Sequence, residues 1–192
     1  FRIHVEGRAS HAGNAPEQGI NAIVELAQQV MKINELNDLR NGTSVSVTMI
    51  DGGSAGNVIP AAASAYIDTR VLTVRALNGI KDGLNALQPH IPGAKVWVEE
   101  IHSREPMEHN DQMKRSYAQC KAIGESLGLT IREDGSGGGS DGNITAAMGI
   151  PTLDGLGPQG DGLHAVHEHV VINNMPQRAA LIAAMLRDWV SE

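Results

Sequence analysis

Four short stretches carry side chains whose types and spacing could do chemistry. In Gly7-Arg8-Ala9-Ser10-His11-Ala12-Gly13, His11 sits where an expected strand gives way to an expected helix. A neutral imidazole there donates one hydrogen bond and polarises a carbonyl, and an imidazolium stabilises an oxyanion. A surface or capping histidine is the alternative. In Gly56-Asn57-Val58-Ile59-Pro60, Asn57 offers an amide to a carbonyl or carboxylate. Arg70, at the end of the strand that follows, offers a planar fork suited to a carboxylate. The alternatives are a turn asparagine and an arginine paired with Asp68 or a surface acid.

The third stretch is the loop Gly135-Ser136-Gly137-Gly138-Gly139-Ser140-Asp141-Gly142. Glycine-rich loops that lead into a helix hold anions through backbone N–H groups. Its spacing is not a nucleotide fingerprint, because no lysine follows at Walker spacing and no G-x-G-x-x-G opens a β-α-β unit. A plain connector is the alternative, and in either case Asp141 is placed to cap the next helix. The fourth stretch, Gly162-Leu163-His164-Ala165-Val166-His167-Glu168-His169, gathers imidazoles, which zinc takes readily. If it is extended, His167 and His169 share a face and His164 lies on the other. That geometry is awkward for a local three-histidine site. It suits a single ligand completed by distant residues better.

These residues need elements to hold them. The first half reads as β-α-β-β-α-β. Residues 1–9 alternate as a strand. Asn14 and Pro16 mark a helix start, and Ile20, Ile23, Val24, Ala27, Val30 and Met31 recur at helical spacing. Val45, Val47 and Met49 alternate as a half-buried strand, and Asp51-Gly52-Gly53 marks a turn. A further strand runs from about Val58 to Arg70, with Ala61, Ala63, Ala65 and Ile67 on one face and Tyr66, Asp68 and Arg70 on the other. Leu77, Ile80, Leu84 and Leu87 form a second helical stripe, and Val96 and Val98 a fourth strand. Two helices on one face of a four-stranded antiparallel sheet is the ferredoxin-like layout. Its other face is read as small and polar, open to water or to a partner.

Near Glu105-Pro106 the pattern changes. Met113, Tyr117, Cys120 and Leu127 predict a helix, Ile131 a short strand, residues 143–148 a short helix and Ile150–Leu153 a strand. Asn174 and Pro176 then start a last helix with Ala179, Ile182, Ala183, Leu186 and Val190 on one stripe. This run reads as the closing part of an α/β domain. The overall class is α+β, with residues 1–104 as one domain and 105–192 as the second. The chain opens at Phe1 in what reads as mid-strand, and an upstream part is expected.

Composition removes some function classes. Net charge is −7, and the aromatics are two Trp, two Tyr and one Phe. Without a basic stripe or stacking aromatics, nucleic acid is not an expected partner. No apolar run approaches the roughly 18–20 residues of a membrane span. The single cysteine, Cys120, excludes an internal disulfide and a cysteine-based zinc knuckle.

Taken in order, the four stretches resemble the zinc-dependent metallopeptidases and amidohydrolases that include glutamate carboxypeptidase, acetylornithine deacetylase and succinyl-diaminopimelate desuccinylase. The glutamate carboxypeptidase branch looks nearest, and the resemblance covers essentially the whole chain. It implies a ferredoxin-like dimerisation lid followed by the C-terminal segment of a zinc-binding catalytic domain. It implies two zinc ions in the full-length parent, with cobalt or manganese as alternatives, and a small peptide or N-acyl amino acid as substrate. By resemblance, His11 is the lid histidine that stabilises the oxyanion in the partner's site. Asn57 and Arg70 grip the substrate carbonyl and carboxylate, also across a homodimer. Arg104 is a looser carboxylate contact, Gly139 and Ser140 line the pocket, His164 is the last zinc ligand and Glu168 orients a ligand. The family's other ligands and its general base lie upstream of the lid, so this chain alone is expected to be inactive. The rival expectation is a non-catalytic dimerisation or small-ligand-binding module on the same fold. A cytoplasmic location is expected, with the periplasm as the alternative.

Overall fold

Strand β1, Arg2–Glu6, buries Ile3 and Val5 and turns Arg2, His4 and Glu6 the other way. The same alternation recurs in its neighbours β5, Ala62–Arg70, and β6, Lys95–Glu99. Ile3 lies opposite Ala65 and Val98, and Val5 opposite Ala63 and Val96, so one face collects the apolar side chains. A fully buried Ile or Val contributes about 1.5–3 kcal/mol by leaving water. With β3, Ser44–Gly52, the strands form an antiparallel sheet in the order β3-β5-β1-β6. Helices α1, Ala22–Asn34, and α2, Val74–Asn85, supply Leu26, Ile33, Ile80 and Leu84 to its core. This is the expected ferredoxin-like arrangement. The computed structural model describes residues 1–190 and divides into two compact units, Phe1–Pro106 and Met107–Glu192.

Several expected boundaries move. Asn14 and Pro16 do not open the first helix; Pro16–Gln18 is a single 3-10 turn. The helix starts after Asn21, whose Oδ1 accepts from the N–H groups of Ile23 and Val24 at 3.1 and 3.2 Å. Ile20 pairs with Arg8 instead of joining the helix. The face that meets the sheet is Ala22, Glu25, Leu26, Gln29 and Ile33, while the expected stripe of Ile23, Val24 and Met31 is exposed. In β3 a bulge between Val47 and Met49 inserts one residue, which moves Met49 opposite Tyr66 on the outer face. The strand expected from Val58 to Arg70 is two. Pro60 cannot donate to a ladder, and it separates β4, Val58–Ile59, from β5. The outer sheet face is more aromatic than expected. His4 stacks on Trp97 with centroids 5.1 Å apart, and the Arg2 guanidinium lies 5.1 Å over the Tyr66 ring.

In the second unit α3, Asp111–Ser126, packs on α5, Met175–Asp188, through Cys120, Ile123, Leu181 and Ala184. The stripe expected on α5 is again the outer one: Ile182, Leu186 and Val190 are exposed. Ile131 and Ile150–Leu153 are not strands. A strand needs a neighbour to satisfy its backbone, and among the described residues none pairs with them. A short helix α4, Gly142–Ala147, is present as expected. The remaining ladder is a small hairpin of β7, Gly160–Asp161, and β8, His169–Val170.

Candidate functional site

After β1 the chain leaves the main sheet and makes a closed loop. Arg8 and Ile20 exchange two backbone hydrogen bonds at 2.9 Å, which join its ends. Gly7 is required at this closure, because a side chain there would run into the Ile20 carbonyl. On this loop β2, Ser10–His11, pairs antiparallel with β4, so that His11 faces Val58. The Ala12 N–H donates to the Asn57 carbonyl at 2.9 Å. Of the expected site residues, His11 thereby lies on this two-stranded ribbon and Asn57 in the turn that enters it, and both are exposed. The His11 ring folds back on its own turn, where Nδ1 accepts from the N–H groups of Gly13 at 3.1 Å and Asn14 at 3.0 Å. Neither amide stood out in the sequence, because a backbone N–H has no residue signature.

Arg70 is not brought to this ribbon. It ends β5, and the ribbon lies beyond Ala62 at the other end of the strand. Eight strand steps of about 3.3 Å place the two ends roughly 26 Å apart. Arg70 instead forms a two-bond fork with Asp68, Nε to Oδ1 and Nη2 to Oδ2, each 2.8 Å. These hydrogen bonds hold the Asp68 carboxyl below the usual aspartate range. Arg104 lies in the irregular segment after β6 and is exposed.

In the second unit, the Ser140 Oγ accepts from the Gly142 N–H at 3.0 Å, and the Asn143 Oδ1 accepts from the Ser140 N–H at 2.9 Å. Asp141 holds the cap position of α4 but makes no side-chain cap bond, contrary to expectation. The amides such a cap would take go to backbone carbonyls instead, Asn143 N–H to Ser140 O at 3.2 Å and Ile144 N–H to Asp141 O at 3.0 Å. Gly139 has open space around it, so its lack of a side chain is not demanded by packing in this unit.

His164 sits in the loop between β7 and β8 with φ of 64°, the only non-glycine among the described residues in the left-handed region. That region is costly for residues with a Cβ, although histidine enters it more often than most. The loop is a pair of tight turns, with Ala165 N–H to Gly162 O at 2.8 Å and Glu168 N–H to Ala165 O at 3.0 Å. It is therefore not an extended segment, and His164 and Glu168 are both exposed. Among the described residues no three His, Cys, Asp or Glu side chains are placed to hold a metal ion. A zinc site takes at least three protein ligands, so the residues present do not by themselves fit a metal centre.

The anchors of the segment that leads into this hairpin were not anticipated. The Asn174 side chain exchanges two hydrogen bonds with Gln159, at 3.3 and 2.8 Å. The Arg178 guanidinium binds the carbonyls of Leu156 and Gly157 at 3.1 and 2.8 Å, and that of Gly155 as well. An asparagine before a proline at a helix start reads as a cap, which hid the real partner of Asn174.

Residues 1–88 match the family model described as a peptidase dimerisation domain. Carboxypeptidase G2 of Pseudomonas sp. (strain RS-16) is 30% identical over 97% of this chain and 46% of its own length. The succinyl-diaminopimelate desuccinylase of Pseudoalteromonas translucida is 31% identical over 80% of this chain and 40% of its own. The crystal structure of aminopeptidase PepT from Bacillus cereus superposes with a TM-score of 0.71 at 24% identity, covering 96% of this chain and 49% of that one. The chain thus spans about half the length of the relatives it matches. On these matches residues 1–88 belong to the peptidase dimerisation domains, and the chain is related along nearly its whole length to Carboxypeptidase G2.

Proposed function

We propose that this chain is the substrate-gripping and dimer-forming portion of a homodimeric, metal-dependent hydrolase that cleaves an amide next to a free carboxylate. The observation that carries the reading is the pairing of β2 with β4, which holds His11 on a loop closed at its base and ties that loop, through Ala12, to the backbone of Asn57 at the entry to β4. An exposed imidazole on the ribbon and an exposed amide at its entry suit a carbonyl oxygen that gains negative charge as the amide is attacked. The relatives named for carboxypeptidase and desuccinylase activity support amide hydrolysis at small acidic substrates, and a C-terminal glutamate is the first choice.

In this reading His11 donates a hydrogen bond to the developing oxyanion, and Asn57 holds the neighbouring carbonyl. Arg70 receives the substrate carboxylate after exchanging it for Asp68. Arg104, Gly139 and Ser140 are assigned to the walls of the substrate pocket. His164 is assigned as one metal ligand, with Glu168 orienting it. Zinc is the proposed ion, with cobalt or manganese as alternatives, and no grouping among the described residues supplies its remaining ligands. Self-association follows from the family of residues 1–88. No helix among the described residues is long and apolar enough to cross a membrane.

In the full-length parent acting on an N-acyl glutamate, His11→Ala is expected to lower kcat by about 10²–10³, the usual loss when an oxyanion donor is removed. A fall of less than about tenfold would remove His11 from that role. One observation favours a second reading, a non-catalytic dimerisation module: the Arg70 fork is engaged by Asp68. That reading gains if Arg70→Lys leaves KM for the N-acyl glutamate unchanged.

A further inference from the structure

The Nδ1 atom of His11 occupies the place that a side-chain oxygen takes in an Asx turn. The Asn21 Oδ1 accepts from the amides two and three residues on, Ile23 and Val24, at 3.1 and 3.2 Å. His11 does the same with Gly13 and Asn14 at 3.1 and 3.0 Å. The turn is closed a second time by the Ala15 N–H on the His11 carbonyl at 3.0 Å, and it is tied to β4 through Ala12 and Asn57. A Cβ at Gly13 would meet the ring at ordinary contact distance, so packing alone does not demand glycine there.

Two N–H groups aimed at one ring nitrogen have a chemical consequence. A nitrogen that accepts hydrogen bonds has its lone pair in the ring plane and carries no proton. In a neutral imidazole the proton then resides on the other nitrogen. We propose that the amides of Gly13 and Asn14 hold neutral His11 as the Nε2–H tautomer, so that the turn presents a hydrogen-bond donor to an oxygen of the substrate. Gly13 and Asn14 are then positioning residues that act through their backbone. The ligand class is an anionic or carbonyl oxygen, and a ligand needing an acceptor from His11 is refused. This deepens the proposed oxyanion role and rests on it for its meaning, but the tautomer is a property of the resting chain.

The two ring nitrogens can be tested apart. Asparagine keeps an acceptor where Nδ1 lies and has no reach to Nε2. Glutamine reaches the Nε2 position and gives up the acceptor. The ring nitrogens of His11 in the 192-residue chain are read by long-range proton–nitrogen correlation at a pH where the ring is neutral. The expected result is a pyridine-like Nδ1 and a pyrrole-like Nε2 with no averaging between them. Amide exchange at Gly13 and Asn14 is expected to stay slow in His11→Asn. It is expected to speed up roughly five- to tenfold in His11→Gln, the equivalent of a hydrogen bond worth about 1 kcal/mol. A mixture of tautomers like that of free histidine would overturn the proposal, as would equal exchange in the two variants. Loss of turnover in His11→Ala without the tautomer lock would leave the oxyanion role standing and remove only this inference. A locked tautomer with unchanged turnover would do the reverse.

Discussion

Glu25 has no exposed surface, yet it lies on the face of α1 that meets the sheet. Its carboxylate is enclosed by donors. Ile91 N–H reaches Oε2 at 2.7 Å, His90 N–H reaches Oε1 and Oε2 at 3.1 and 3.0 Å, and the Gln29 amide reaches Oε1 at 2.6 Å. The Gln29 amide also donates to the Gln88 carbonyl at 2.9 Å, so the two side chains fasten the turn after α2 to the middle of α1. Burial alone would raise the Glu25 carboxyl. The hydrogen bonds from Gln29, Ile91 and His90 outweigh it and leave the group below the usual glutamate range. The sign follows from linkage. A carboxyl whose folded pKa is depressed stabilises fully above the unfolded value, and that contribution is lost as pH falls through the folded value. Glu25→Gln is therefore expected to cost roughly 2–3 kcal/mol at neutral pH, since it replaces one carboxylate oxygen with an amide –NH2 facing two N–H donors. The difference from wild type is expected to shrink below the ordinary carboxylate range. Urea unfolding at pH 7 and about pH 3 reads both. An equal loss at the two pH values would show that the charge of Glu25 carries nothing.

Helix α1 has two apolar stripes, and the periodicity in the sequence favours the one that the fold leaves outside. Ile23, Val24 and Ala27 with Met31 form a cleaner repeat than Ala22, Leu26 and Ile33, whose stripe is interrupted by Glu25 and Gln29. Polar residues are a poor signal of a buried face, because nothing in a single sequence shows the partners 65 residues away that satisfy them. The same inversion occurs on α5, where Leu181 and Ala184 are buried and Leu186 is out. What was legible was the order of elements and the alternation of β5, since period 2 allows no such ambiguity. The bulge after Val47 and the turn that receives the His11 ring were not legible, because both are set by backbone geometry. The leftover stripe on α1 borders β3, whose outer edge is unpaired among the described residues. The other edge strand, β6, is short and ends in Lys95 and Glu99, which blunts it against pairing. Strand β3 runs from Ser44 to Gly52 with little charge, so it is the edge we assign to self-association, with α1 beside it. Val24→Glu combined with Met31→Glu is expected to leave the chain folded, within about 1 kcal/mol of wild type, because both sites are exposed. It is expected to shift sedimentation from dimer to monomer at micromolar concentration. A double variant that remains dimeric would move the interface off this face.

Whole-molecule geometry constrains how His11, Asn57 and Arg70 can meet. His11 and Asn57 share one end of the sheet and Arg70 ends β5 at the other. If all three touch one small substrate, no single copy supplies them. A two-fold dimer does, because each of its two sites takes the ribbon of one copy and the arginine of the other. This refines the expectation that Asn57 and Arg70 reach across the dimer together. It also makes a prediction that no single variant can make. Full-length parent carrying His11→Ala and parent carrying Arg70→Ala are each expected to be nearly inactive. In a mixed dimer, one site loses both residues and the other keeps both. Random exchange of equal amounts makes about half the dimers mixed, each with one intact site, so about a quarter of wild-type activity is expected to return. If the three residues instead served a site within one copy, every site in the mixture would lack one of them. Activity after unfolding and refolding the two variants together, compared with each refolded alone, separates the cases. Recovery to about a quarter supports the shared site, and recovery to no more than the mean of the two variants refutes it.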